Sequence, residues 1–257
     1  LSGYPDWPRH DHRYLLSLGA AIFQRDDFKV AAGSCVEELF WLLGKEAVEK
    51  FDALQIESTC PESRDFPAGG LYVIRSQDGR DYALVRAGSP TPTAPTAHAH
   101  NDLLSLELWI AGEPVCIDPG TYCYTSDVEE RNRFRSTAAH NTVMVDGQEI
   151  NRIPPDEPFR LDWDAQVKLL EWSVGEREVR LVAEHDGYCN LHASPRHRRT
   201  VSFNPESRAW KIEDSVTTLL EDTVDFTVRF HSPIPVHVVS ESDTSFTANI
   251  GSVRLEG

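Results

Sequence analysis

The chain has 257 residues, 40% hydrophobic and 26% charged, which argues against disorder and leaves enough apolar surface for one large core or two modest ones. Its 41 acidic and 25 basic side chains give a formal net charge of −16, which argues against a nucleic-acid surface and counts mildly against an acidic ligand. Global charge acts mainly on steering and solubility, however, and a few arginines or one cation can reverse the field inside a cleft.

No stretch reaches the roughly 18 consecutive apolar residues of a membrane span, and the first residues lack the zones of a signal peptide. The chain starts at Leu1, just ahead of a helical pattern, so it is expected to be a piece of a longer protein. His12 to Phe23 places Tyr14, Leu15, Leu18, Ala21 and Ile22 on one face at helical spacing. Ser34 to Glu37 has the form of a capping box, Leu39, Phe40, Leu42 and Leu43 follow, and Gly44 stands where a C-terminal cap belongs. Lys45 to Leu54 predicts a third short helix. These wide apolar faces with few partners fit the last turns of a larger helical domain.

After Pro61 the pattern changes. Leu71 to Arg75 and Tyr82 to Arg86 flank a Gln77-Asp78-Gly79 turn, a hairpin signal because Asp-Gly tolerates positive φ. Beyond the Pro/Thr/Ala stretch from Ser89 to Ala97, strands are expected at 103–110, 114–118, 142–146, 167–172, 179–184, 198–203, 209–214 and 226–231. Ser252 to Gly257 stops in an alternating, strand-like run. Strands in series without intervening helices predict antiparallel sheets stacked as a β-sandwich. Two units follow, 1–60 helical and 61–257 mainly β. Cys35, Cys60, Cys116, Cys123 and Cys189 are odd in number and lack CxxC spacing, so buried or free thiols are expected.

The chemistry concentrates in three segments. Thr96-Ala-His98-Ala-His100-Asn-Asp102, if extended, points two imidazoles to one side. Cys116-Ile-Asp118-Pro-Gly-Thr-Tyr122 ends an apolar strand on a carboxylate, and Arg135-Ser-Thr-Ala-Ala-His140-Asn-Thr-Val puts a third His before another. His, His and Asp are ligand types that zinc accepts, with a fourth position left open. Each residue alone has an ordinary reading too: surface histidines, a turn-capping carboxylate, a hydrogen-bonded strand-end imidazole.

Taken in order, His98-Ala-His100-Asn-Asp102-Leu-Leu-Ser-Leu-Glu107-Leu, then Asp118-Pro-Gly-Thr-Tyr122, then Arg131-Asn-Arg-Phe-Arg135-Ser-Thr-Ala-Ala-His140-Asn-Thr-Val and Asp146-Gly147, the chain resembles the heparinase II/III-like polysaccharide lyases. Glu37 to Gly44 is similar to the end of that family's (α/α) toroid, and Ala97 stands where the family usually has Gly. The resemblance implies that His100, Asp118 and His140 hold Zn2+, more structural than catalytic because elimination needs no water nucleophile, and that His98 is catalytic and faces the substrate. Tyr122, Tyr124 and Arg135 become candidates for substrate contact, although Tyr is also an ordinary strand residue and Arg135 suits an ion pair. The implied reaction is β-elimination on an acidic, uronate-containing polysaccharide, in a periplasmic or secreted bacterial enzyme. A Tyr and an Asn or His from the toroid would complete the site, so the fragment alone is expected to be inactive.

Two other readings compete. A cupin-like metal enzyme also begins its site with His-x-His but wants Glu four or five residues later, where Leu104 and Ser105 stand. A carbohydrate-binding β-sandwich would stripe its aromatics, whereas Trp7, Trp41, Trp109, Trp163, Trp172 and Trp210 are scattered and are expected mostly in the core. His185, His192, His197, His231 and His237 lack motif context and read as surface or core histidines.

Overall fold

The computed structural model describes residues 12–57, 62–89, 96–220, 222–241 and 246–256. Trp7 and Cys60 lie outside them, as does most of the Pro/Thr/Ala stretch. The chain divides into two compact units, 1–61 and 62–257.

In the first unit, α1 (Arg13–Phe23), α2 (Asp26–Ala32), α3 (Glu37–Leu43) and α4 (Lys45–Ala53) surround a small core of Ala20, Ala21, Ala32, Leu39, Ala47 and Phe51. The buried face of α1 is Ser17, Gly19, Ala20 and Ala21, while Leu15 and Ile22 are exposed, so the expected apolar face is only partly the packing face. Small side chains win because Gly19 lies against the Phe28 ring and admits close approach. The capping box does not form: Val36 occupies the N-cap without a side-chain cap bond. Gly44 does take the C-cap, with φ +79°. Trp41 and Trp109 are exposed, at 72% and 37%, whereas Trp163, Trp172 and Trp210 are partly buried against the cores, so the tryptophans are less enclosed than expected.

The second unit is antiparallel throughout. One sheet runs β1 (Arg64–Phe66), β2 (Leu71–Arg75), β3 (Tyr82–Arg86), β4 (Leu106–Ile110) and β5 (Glu113–Cys116) in sequence order. The other runs β10-β9-β8-β7, from β7 (Val167–Val174), β8 (Val179–His185), β9 (Arg196–Asn204) and β10 (Ala209–Thr217). Their alternating apolar positions meet in one core, with Ile74, Val85, Leu106 and Leu108 from the first sheet and Leu181 and Phe203 from the second. Each such buried side chain contributes about 1.5–3 kcal/mol. A short pair joins β6 (Val143–Val145) to β11 (Phe226–Val228), and β12 (Val236–Glu241), β13 (Phe246–Ile250) and β14 (Val253–Glu256) form a third sheet.

Several expected strands are shorter than their apolar runs. β4 begins at Leu106, not Leu103, because Leu104 adopts φ +57° after a turn in which Ser105 N–H donates to Asp102 O. β5 stops at Cys116 and β11 at Val228, where Ile117 N–H instead donates to the His231 carbonyl. These departures put loops around residues 96–105, 117–127 and 135–142, the three segments that carry the candidate chemistry.

Candidate active site

The segment from Thr96 to Asp102 is a turn, with Ala99 N–H donating to Thr96 O, so strand alternation does not apply and the two imidazoles part. His98 is exposed, while His100 is partly buried and turns toward His140. Asn101, fully buried, holds the turn by donating to Glu149 Oε2 (2.7 Å) and Asn151 O (2.8 Å) and accepting from Asn151 N–H. Asn141 does the same for the other two segments. Its Nδ2 donates to the carbonyls of Leu106 (2.9 Å) and Ile117 (3.1 Å), and its Oδ1 accepts from His231 N–H (2.6 Å). Asn141 therefore ties the residue after His140 to the residue before Asp118.

The structure brings His100, Asp118 and His140 together. His140 is buried and its Nδ1 lies 2.6 Å from Asp118 Oδ2. Asp118 Oδ1 accepts from Gly120 N–H at 2.8 Å. Burial works to raise the Asp118 carboxyl, but the His140 bond and charge and the Gly120 amide hold it below the usual carboxylate range. The rings of His100 and His140 are 5.2 Å apart. Burial, followed by His140 and Arg131, pulls His100 down to about 4, so its imidazole is neutral at physiological pH. Arg131 explains the orientation: its Nη1 donates to His100 Nε2 (3.0 Å) and to Thr121 Oγ1 (3.1 Å), and Nη2 donates to Ala97 O.

Arg131 and Arg135 come from α5 (Val128–Phe134) and its C-cap, four residues apart and therefore on one face. This helix is absent from the sequence expectations, although its signals are local: Asp127 caps it by accepting from Glu130 N–H, with acids in its first turn and arginines in its last. Arg135 is fully buried. Its Nε donates to Asn132 Oδ1 (2.9 Å), Nη1 to Arg160 O (2.6 Å) and Nη2 to Glu157 O (2.9 Å). This corrects the expectation of substrate contact: the guanidinium is spent on holding the 157–160 turn.

His98 instead meets aromatic rings. Tyr124 packs edge-on to it at 5.7 Å, and Phe159 at 6.4 Å. Tyr124 also lies 5.4 Å from the Arg131 guanidinium, so His98, Tyr124, Arg131, His100, His140 and Asp118 form one continuous series of contacts. Tyr122 is 71% exposed, stacks on Phe134 at 4.8 Å and has φ +58°, a strained conformation of the kind that clusters at functional sites.

The donor types suit zinc, and one atom tests the fit. His140 Nε2 is buried without a hydrogen-bond partner, while its Nδ1 is fixed by a carboxylate, the arrangement that presents the free nitrogen of a ligating His. Among the described residues no three acidic, His or Cys donors already converge on a point, since Asp118 Oδ2 faces His140 and His100 Nε2 faces Arg131. The residues fit the ion by chemistry and by the orphaned nitrogen.

Residues 59–252, three-quarters of the chain, match the family model described as heparinase II/III-like, C-terminal. The chain belongs to that family. A heparin-sulfate lyase from Bacteroides stercoris is 28% identical over 203 residues, which cover 74% of this chain and 26% of that protein. The heparan sulfate lyase HepC of Pedobacter heparinus superposes with a TM-score of 0.66 at 19% identity, covering 93% of this chain and 32% of its own. A heparinase III structure gives 0.65 at 20% identity, covering 95% and 32%. At these identities the structures show a shared fold, and the heparinase II/III-like chain spans only about a quarter to a third of these relatives. Family membership displaces the cupin reading, whose Glu was already missing. All three segments that carry the candidate residues fall inside the matched residues.

Proposed function

We propose that the protein carrying this chain is a polysaccharide lyase that cleaves 4-linked uronate polymers by β-elimination, with His98 contributed from this chain. The observation that supports it is the exposed imidazole of His98 at the head of the contact series ending in His140 and Asp118. In the reaction a base takes the C5 proton, the electron pair forms the C4–C5 double bond, and the C4–oxygen bond breaks as an acid protonates the leaving oxygen. The C5 proton becomes acidic only when charge on the adjacent carboxylate is offset. In this reading His98 exchanges one of these protons with a sugar at the surface. Zinc, when bound by His100, Asp118 and His140, supplies fixed positive charge that organises the site floor. The role is structural, since no water nucleophile is required.

The rest of the acid–base set belongs to the toroid implied by the family resemblance, of which helices α1 to α4 would be the end. The 257-residue chain by itself is then inactive, and a periplasmic or secreted location is part of the same proposal. The relatives are named for heparin or heparan sulfate, so those polymers are tested first, followed by alginate and hyaluronan. The measurement is ultraviolet absorbance of the unsaturated product, made with the intact, zinc-loaded protein. No unsaturated product from any of these polymers would falsify the lyase reading, and glycan binding without turnover would favour a binding module.

A further inference from the structure

We propose that Phe159 and Tyr124 form a stacking platform for a pyranose ring beside His98, and that Arg135 is the positioning residue that holds Phe159 there; this rests on the polysaccharide reading above. Phe159 lies in the irregular segment before β7, far in sequence from the motif residues. Its ring is 6.1 Å from that of Tyr124 with only 19° between their planes, and both are nearly half exposed, at 41% and 48%. His98 meets each edge-on. A single exposed aromatic is ordinary, but here three rings arrive from three separate segments and remain open to solvent beside a functional imidazole. A pyranose has an apolar C–H face and a hydroxyl edge, so its face suits the exposed face of such an aromatic ring while its edge stays wet.

The loop is built to hold that ring. Arg160 N–H donates to Glu157 O, closing a tight turn with Phe159 inside it. The buried Arg135 guanidinium donates to the carbonyls of both Glu157 and Arg160, so it grips the turn on either side of Phe159. Charge points the same way. Arg131 and Arg135 are both fully buried and donate to neutral acceptors, His100, Thr121, Asn132 and backbone carbonyls. Arg131 lies 5.4 Å from the Tyr124 ring and Arg135 bonds the turn that carries Phe159, buried positive charge that suits a carboxylated or sulfated sugar.

The test compares wild type with F159L, which keeps apolar bulk without an aromatic face, and F159Y, which keeps the face. Elimination kinetics and calorimetric binding of a heparan sulfate tetrasaccharide are measured on the intact zinc-loaded protein. F159L is expected to raise KM and weaken tetrasaccharide binding roughly ten-fold with kcat within about two-fold, and F159Y to restore both. R135K should raise KM in the wild-type background and add little in F159L, because its effect passes through Phe159. Unchanged KM and binding in F159L, or a loss confined to kcat, would overturn the platform. If wild type binds the tetrasaccharide but yields no unsaturated product, the lyase reading falls and the platform is judged on binding alone. A wild-type protein that does not bind the tetrasaccharide overturns the platform.

Discussion

His140 and His98 show how differently one residue type is used within one series of contacts. His140 is sealed from solvent, oriented by Asp118 and left with one unpartnered nitrogen, whereas His98 is exposed and meets the rings of Tyr124 and Phe159. Their substitutions should therefore separate. H98A is expected to lower the elimination rate roughly 10²–10⁴-fold while zinc content stays constant. H140A and D118N should each lose most of the metal, because each removes a proposed ligand. Competition with a chromophoric zinc chelator reads all three, and full zinc retention in H140A would remove the ion from this site. Arg199 works at the same scale from further off. It is buried, pairs with Asp214 and donates to the carbonyls of Leu104 and Asn141, bracing the residue next to His140 from the opposite sheet. R199M takes the guanidinium partner from a buried carboxylate and should cost about 3–5 kcal/mol in urea unfolding.

At the scale of elements, the first sheet depends on close backbone approach at the ends of β2 and β3. Gly70 and Gly88 face each other so tightly that a Cβ on Gly88 would lie 2.3 Å from the Gly70 Cα, and Ala87 N–H donates to Gly70 O. G88A must push two backbones apart at the mouth of the hairpin, whereas G69A meets nothing within 4 Å. The expected loss is about 1–3 kcal/mol for G88A and little for G69A, read from thermal or urea melts; equal effects would show that the approach is not constraining. The same hairpin was readable in advance, since Asp78-Gly79 and alternating flanks are local signals. The turn at 96–102 was not, because what bends it is Asn101 bonding to Asn151, fifty residues away.

For the whole molecule, the second unit carries a buried network of titratable side chains. His185 and His197 are both enclosed, 3.2 Å apart, with His197 also bonded to Asp214 at 2.7 Å. Burial holds His185 well below its ordinary range, and it also lowers His197 despite the opposing pull of Asp214. Below the unfolded value of about 6.5 the unfolded chain therefore takes up protons that the folded one refuses. Stability from these groups is complete above that pH and falls as pH drops through it. Burial works to raise Asp214, but hydrogen bonds from His197 and Arg199 outweigh it, so its contribution is lost only at still lower pH, below the ordinary carboxylate value. The urea midpoint is expected to fall from pH 7 to pH 5, with a shallower fall in H185Q. Identical slopes would discharge the network of this role.

Read by itself, the sequence determined the mainly β architecture, the helical lead and the family, and nominated the candidate set His98, His100, Asp118 and His140, because periodicity and an ordered motif are local properties of a chain. Tertiary structure decided which of these residues share a site. It separated His98 from His100, turned Arg135 inward and placed Arg131 against His100. It also brought Phe159 to His98 from a loop with no motif. Those outcomes depend on buried side chains finding hydrogen-bond partners across long sequence separations, and no short-range pattern encodes which partner a buried guanidinium or amide will meet.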